Sequence, residues 1–300
     1  MNPINIHIQK KTDEYEGFSE FSDFLKSATG IALTENKHWL VASRIKEVLE
    51  KHNLKNLVEL VGELKKRSNS SLRIDVIDAM TTNETYWFRD EYPFLFFKNS
   101  ILPHLHSASP IGFSATDTSI RLPIRVWSGA CSSGQEAYSL SIIYEEYLEE
   151  LIASPELNIT PRALSIVGTD VSQRMIAIAK TGLYDRLAMS RGLSTARKEK
   201  FFTEGENSHC LIKQSIRSRV NFNVLNFTEE LNMPGKFDVI FCRNALIYFS
   251  SDLKNKILIR LHGSLNKGGY LCLGSSEGLS ESSHLFDIIH CNPGIIYQAK

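Results

Sequence analysis

From residue 121 onward the chain alternates short apolar runs with helical segments, and this alternation restricts the fold more than any other feature. Strand candidates are LPIRVW (122–127), ALSIVGT (163–169), VNFNV (220–224), KFDVIFC (236–242) and GYLCLG (269–274). Helix candidates lie between them at 134–150, 172–180 and 251–266. Parallel strands need long crossovers, so strands alternating with helices point to an α/β fold: a mostly parallel sheet covered on both faces. The final HLFDIIHCNPGIIYQAK reads as two short strands about an Asn292-Pro293-Gly294 turn, an antiparallel edge. KFFTEGENSHCLIKQSI, within about 201–220, has no helical period and reads as a small hairpin insertion.

The first eighty residues follow a different rule. Phe18, Phe21 and Leu25 share one helical face that stops at Gly30. Val41, Ile45, Val48 and Leu49 form a second stripe, and Leu57, Leu60, Val61 and Leu64 a third. A short helix at 72–80 completes an all-α N-terminal domain over 1–80. A linker over 81–92 then leads into the α/β domain, 93–300. Asp90 is expected to cap a helix running through Ile101, with Pro93 tolerated in its first turn. The polar, turn-rich SASPIGFSATDTS (107–119) reads as a surface loop.

A chain of 300 residues suits about two domains. Its 34 basic and 34 acidic residues cancel, so no global field favours nucleic acid or an acidic membrane face. Five dispersed cysteines without a C-x-x-C pair argue for free thiols, against a disulfide frame or zinc site. MNPINIHIQKK lacks the apolar core of a secretory leader, and no apolar run approaches the ~20 residues of a membrane span. A cytoplasmic protein without direct membrane insertion is expected.

The first strand runs into small residues and then a helix, RVWSGACSSGQEAYSLSI (125–142). In open α/β sheets, ligands sit at the carboxyl ends of strands, and small residues let a flat ligand approach the backbone. Neither G-x-x-x-x-G-K-[ST] nor G-x-G-x-x-G is present, and Glu136 would repel a pyrophosphate. A cationic, phosphate-free nucleoside fits better: S-adenosylmethionine carries a sulfonium and an ammonium, and Asp170 in GTDVS could accept from its ribose diol. Glu136 and Asp170 are equally readable as ordinary helix-end carboxylates, and these two positions alone leave both readings open. The fourth strand tips the balance. KFDVIFCRNALIYFS places Arg243-Asn244 directly after an apolar strand, where an unpaired buried arginine would be costly.

TTNETYWFRDEYPF (81–94), WSGACSSGQEAYS, GTDVS and FCRNALIYF resemble, in order and spacing, the CheR-type chemotaxis-receptor glutamate methyltransferases. GIALTENKHWLVASRIKEVL is similar to the start of that family's helical N-terminal domain, so the resemblance spans roughly 18–298. It implies a Rossmann-like S-adenosylmethionine-dependent methyltransferase domain with an inserted β-subdomain, forming glutamate methyl esters on chemoreceptors in chemotactic signalling. By motif, Asn83, Thr85 and Arg89 would close over the cofactor. Glu136 and Asp170 would hold its methionine and ribose ends, Asn226 and Phe227 its adenine, and Arg243 and Asn244 the fourth-strand side. Arg89 and Tyr248 would lie nearest the transferring methyl. No metal is expected. The family's G-E-E-P-Y is Gly134-Gln135-Glu136-Ala137-Tyr138 here, and its usual Asn-Leu is Asn226-Phe227.

Lys37, Arg44 and Lys51 recur every seven residues on one helical face. A solvated stripe is the plain reading; the resemblance implies contact with the acidic cytoplasmic helices of receptors. The β-insertion matches a subdomain that in some members tethers a receptor peptide. A monomer acting on protein is expected. The alternatives are a cofactor-binding regulatory module without catalysis, or a methyltransferase for another protein or nucleic acid. Amino-methylating enzymes often carry [DNS]-P-P-[YFW] after the fourth strand, where this chain has Arg243-Asn244-Ala245-Leu246.

Overall fold

The structure is a computed structural model that describes residues 16–66, 69–107, 122–157, 159–205, 208–231, 233 and 235–300. The loop expected at 107–119 lies outside the described residues from 108 on.

Four α-helices come first among the described residues: α1 (Phe18–Thr29), α2 (His38–Lys51), α3 (Leu57–Lys65) and α4 (Ser70–Met80). Asn56 and Asn69 begin the last two by accepting backbone N–H bonds from Glu59 and Leu72. The apolar stripes read from the sequence meet in one core, with Phe21, Leu25, Ile45, Leu60, Leu64 and Val76 almost wholly enclosed. Gly30 ends α1 in the left-handed region (φ 79°). A Cβ there would lie 2.4 Å from Leu253 and 2.9 Å from Thr228, so the glycine also lets the helical domain close on its neighbour.

The larger unit is a seven-stranded sheet: β1 (Ile124–Gly129), β2 (Leu164–Asp170), β6 (Val220–Val224), β7 (Phe237–Cys242), β8 (Leu265–Leu273), β9 (Phe286–Cys291) and β10 (Gly294–Ala299). Their order is β6-β2-β1-β7-β8-β10-β9. The first five are parallel neighbours, and β10 is antiparallel to both β8 and β9. Alternate residues face opposite layers. Val126, Val239 and Phe241 enter one core, and Trp127, Ile240 and Cys242 the other. The order reverses between β1 and β7, which sets a crevice at their carboxyl ends.

Two details depart from the sequence reading. The insertion is a three-stranded sheet, β3 (Leu183–Tyr184), β5 (Cys210–Ile212) and β4 (Phe202–Glu204), and not a lone hairpin. Its extra strand comes from upstream of 201, where two residues are too few to show a period; a single helical turn, Gln214–Arg217, follows it. Asp90 is no N-cap. The helix begins at Tyr92 and passes through a wider turn (Phe97–Ile101) into Leu102–Ser107, while Asp90 takes φ 62° and turns its carboxylate to Arg243. An ion pair outcompetes the cap. No helix among the described residues is long and apolar enough to cross a membrane.

Candidate active site

The crevice opens into a cavity that is continuous with solvent. Ten expected positions line it together: Asn83, Thr85, Arg89, Glu136, Asp170, Asn226, Phe227, Arg243, Asn244 and Tyr248. The helical domain contributes Thr29 and Ile31 to the wall, and an isolated bridge joins Ile31 to Phe249 beside Tyr248.

The floor is the loop after β1. Ala130 and Ser132 both adopt left-handed backbone (φ 57° and 50°), strain of a kind that gathers at functional sites. That geometry turns the Ser132 N–H onto Asp170 Oδ2 at 2.8 Å, while the Ser172 N–H reaches Oδ1 at 2.9 Å. Asp170 is 7% exposed, and burial raises its pKa against the pull of those two donors. Each oxygen keeps lone-pair capacity for a hydroxyl pair. The Ser132 hydroxyl donates to the Asn83 carbonyl at 2.9 Å, tying the linker to the floor.

Glu136 is held differently. Ser128 Oγ donates to Oε1 at 2.7 Å, and Arg243 Nη1 stands 3.3 Å from Oε2. Burial raises the Glu136 pKa despite the opposing Arg243 charge. Arg243 in turn donates through Nη2 to Asp90 Oδ2 at 2.7 Å, so it is buried but paired. Its Nε has no hydrogen-bond partner among the described residues.

The linker crosses above. Trp87 is fully buried, its Nε1 donating to the Ala188 carbonyl, and the Phe88 N–H donates to Ser139 Oγ. Gly192 is required beneath it, because a Cβ there would lie 1.8 Å from the Trp87 carbonyl oxygen. Arg89 Nη1 donates to the Glu84 carbonyl, and Arg191 pairs with Glu84 while lying 4.2 Å over the Tyr86 ring.

On the opposite wall Asn226 lines the cavity, but its amide is spent inside the protein. Nδ2 donates to the Ala28 carbonyl at 2.6 Å, and Oδ1 accepts from the Thr228 N–H and hydroxyl. Phe227 packs on Trp127.

Sequence reasoning missed Glu277. Its Oε2 accepts from the Asn244 and Gly274 N–H groups at 2.8 Å, and Oε1 from the Ile247 N–H at 3.2 Å. This buried carboxylate fixes the loop that carries Asn244 and Tyr248. A lone Glu in GSSEGL gives no spacing signal from which that could be read.

The basic stripe is divided. Lys37 is exposed with no side-chain hydrogen bond or ion pair among the described residues. Lys51 pairs with Asp75. Arg44 donates to the Met80 and Thr81 carbonyls and to Thr82 Oγ1, closing the end of α4 onto the linker. The guanidinium expected to face a receptor is engaged within the chain.

The residues fit S-adenosylmethionine: two largely buried acids, one ending β2 and one in the first helical turn after β1, an apolar slot from Ala130, Leu225 and Phe227, and no histidine or lysine among the described lining residues. No group of three His, Cys, Asp or Glu side chains gathers as a metal site among the described residues.

The profile described as "CheR methyltransferase, SAM binding domain" matches residues 83–295, and "CheR methyltransferase, all-alpha domain" matches 16–81. The chain belongs to the CheR methyltransferase family. Among curated CheR relatives, chemotaxis protein methyltransferase Cher2 of Pseudomonas putida is 44% identical over 283 residues, covering 94% of this chain and 98% of that protein. Chemotaxis protein methyltransferase 1 of Pseudomonas aeruginosa is 44% identical, covering 94% and 97%. Its Vibrio cholerae namesake is 40% identical, covering 94% and 96%.

Proposed function

We propose that this CheR-family chain is a protein-glutamate O-methyltransferase acting on the cytoplasmic helices of chemoreceptors. The observation that carries the reading is the convergence of Glu136, Asp170, Arg89 and Tyr248 on one cavity under a linker tied to its floor.

When bound, S-adenosylmethionine supplies an electrophilic methyl on a positively charged sulfur. Glu136 would hold its ammonium and Asp170 its ribose diol. Phe227 and the backbone at Asn226 would wall the adenine, since the Asn226 amide is already engaged. A glutamate acceptor has an ordinary pKa near ~4.3 and arrives ionised at neutral pH. The chain therefore needs no general base, and the cavity's lack of histidine among its described lining residues suits that chemistry. What it must supply is alignment and exclusion of water, worth up to ~7–11 kcal/mol in well-oriented reactions. Arg89 orders the linker through the Glu84 carbonyl and presents a cation to the acceptor carboxylate. Tyr248, one-third exposed, orients that carboxylate at the rim.

Methyl-labelled S-adenosylmethionine, incubated with the protein and receptor-bearing membranes, should label a receptor band that releases volatile methanol in mild alkali. A base-stable label would reject ester formation.

A further inference from the structure

The linker bends sharply where it meets the cavity: Phe88, Asp90 and Glu91 all have positive φ (51°, 62° and 41°). Such backbone persists only where its surroundings impose it, and here the buried Trp87 and Phe88 do so. The result of the bend is to bring the Asp90 carboxylate to Arg243, whose side chain is 1% exposed. Arg243 thus faces two acids and can neutralise one of them. It lies 2.7 Å from Asp90 and 3.3 Å from Glu136. The closer bond goes to the residue outside the expected cofactor set.

We propose that Asp90 is a positioning residue that draws Arg243 away from Glu136, leaving the Glu136 carboxylate with charge to offer the cofactor's ammonium. This rests on the cofactor placement given under Proposed function. With Asp90 neutral, Arg243 settles on Glu136 and cancels the charge that a cationic ligand requires. Asp90 then sets affinity for the amino-acid end of the cofactor without touching it.

The groups facing Glu136 from the surrounding elements are Arg243 after β7, Arg89 and Asp90 of the linker, and the thiols of Cys131, Cys242 and Cys272. Asp170 faces the Cys131 side, and Tyr92 faces Arg243 and Asp90. Burial raises the three thiols and the phenol, so they stay neutral through the acid range where Glu136 titrates.

Asp90→Asn tests this with minimal disturbance, because asparagine tolerates the left-handed backbone and only the charge is lost. Calorimetry compares S-adenosylhomocysteine with 5′-methylthioadenosine, which lacks the amino-acid end. Asp90→Asn should bind S-adenosylhomocysteine about tenfold more weakly and 5′-methylthioadenosine within about twofold of the unmodified protein. The acid limb of S-adenosylhomocysteine binding should move to lower pH, since a fully engaged Arg243 lowers the Glu136 pKa. Asp90→Glu, which keeps the charge, should restore the ratio between the two ligands. Equal losses for both ligands, no loss for either, or an acid limb that stays in place overturns the proposal. Failure of the unmodified protein to bind S-adenosylhomocysteine would instead defeat the cofactor reading itself.

Discussion

Asp170 ends β2 and Glu136 sits in the first turn of the helix after β1; both are largely buried carboxylates, yet they are held by unlike means. Asp170 rests on two backbone N–H groups, which no side-chain movement can withdraw. Glu136 is balanced by a serine hydroxyl and an arginine shared with Asp90, all of which can shift. Burial raises both pKa values, but the opposing influences differ: backbone donors for one, a neighbouring charge for the other. A fixed acceptor suits a neutral diol, whose place must not vary. An adjustable anion suits a cation that arrives and leaves.

The largest effect should come from Asp170→Ala. It strands two backbone donors, each costing about 1–3 kcal/mol, so Tm should fall by roughly 5 °C or more. S-adenosylhomocysteine affinity should drop about 100-fold, ~2.7 kcal/mol. Glu136→Gln should cost about tenfold in that affinity while leaving Tm unchanged or raised, because a neutral isostere escapes the burial penalty. Parallel losses of Tm in both variants, seen in thermal melts, would erase the contrast.

The same contrast sets a pH expectation. Both folded-state pKa values lie above the ordinary 3.8 and 4.5. Each carboxyl therefore favours the folded state most below its unfolded value, and that contribution is lost as pH rises through the folded one. Ligand binding runs the other way. On the proposed placement the ammonium would require ionised Glu136, so calorimetric affinity should fall on acidification from a pH above the ordinary carboxylate range.

Arg89→Ala and Tyr248→Phe should each lower kcat about tenfold while changing S-adenosylhomocysteine affinity less than about threefold. Equal loss in both quantities would reject the division between holding the cofactor and aligning the acceptor. The smallest effect belongs to the basic stripe. Lys37→Glu should lower receptor kcat/KM about two- to fivefold, more at low salt, with ligand affinity unchanged. Arg44→Glu should weaken ligand binding as well, because it releases the linker from the end of α4.

The sheet was legible because β1, β2, β6, β7 and β8 are each runs of five or more residues set between helical or polar segments. The two acids were legible because the end of β2 and the helix start after β1 follow from that pattern. What escaped depends on partners distant in the chain. Asp90 has a sequence context suited to capping, and only Arg243, 153 positions away, redirects it. The Asn226 amide is spent on Ala28, 198 positions away. Arg44 serves a helix end that no seven-residue spacing could indicate. Glu277 has the same character: its three backbone donors come from two loops that meet only in the folded chain.

Cys131, Cys242 and Cys272 lie sealed at the ends of or within central strands, and burial pushes all three thiols well above their ordinary range. Only the thiolate reacts with alkylating reagents, so the native molecule keeps these sulfurs silent. Cys131, beneath the cavity, thereby becomes a built-in clock: the rate at which iodoacetamide modifies it counts how often the crevice breathes open.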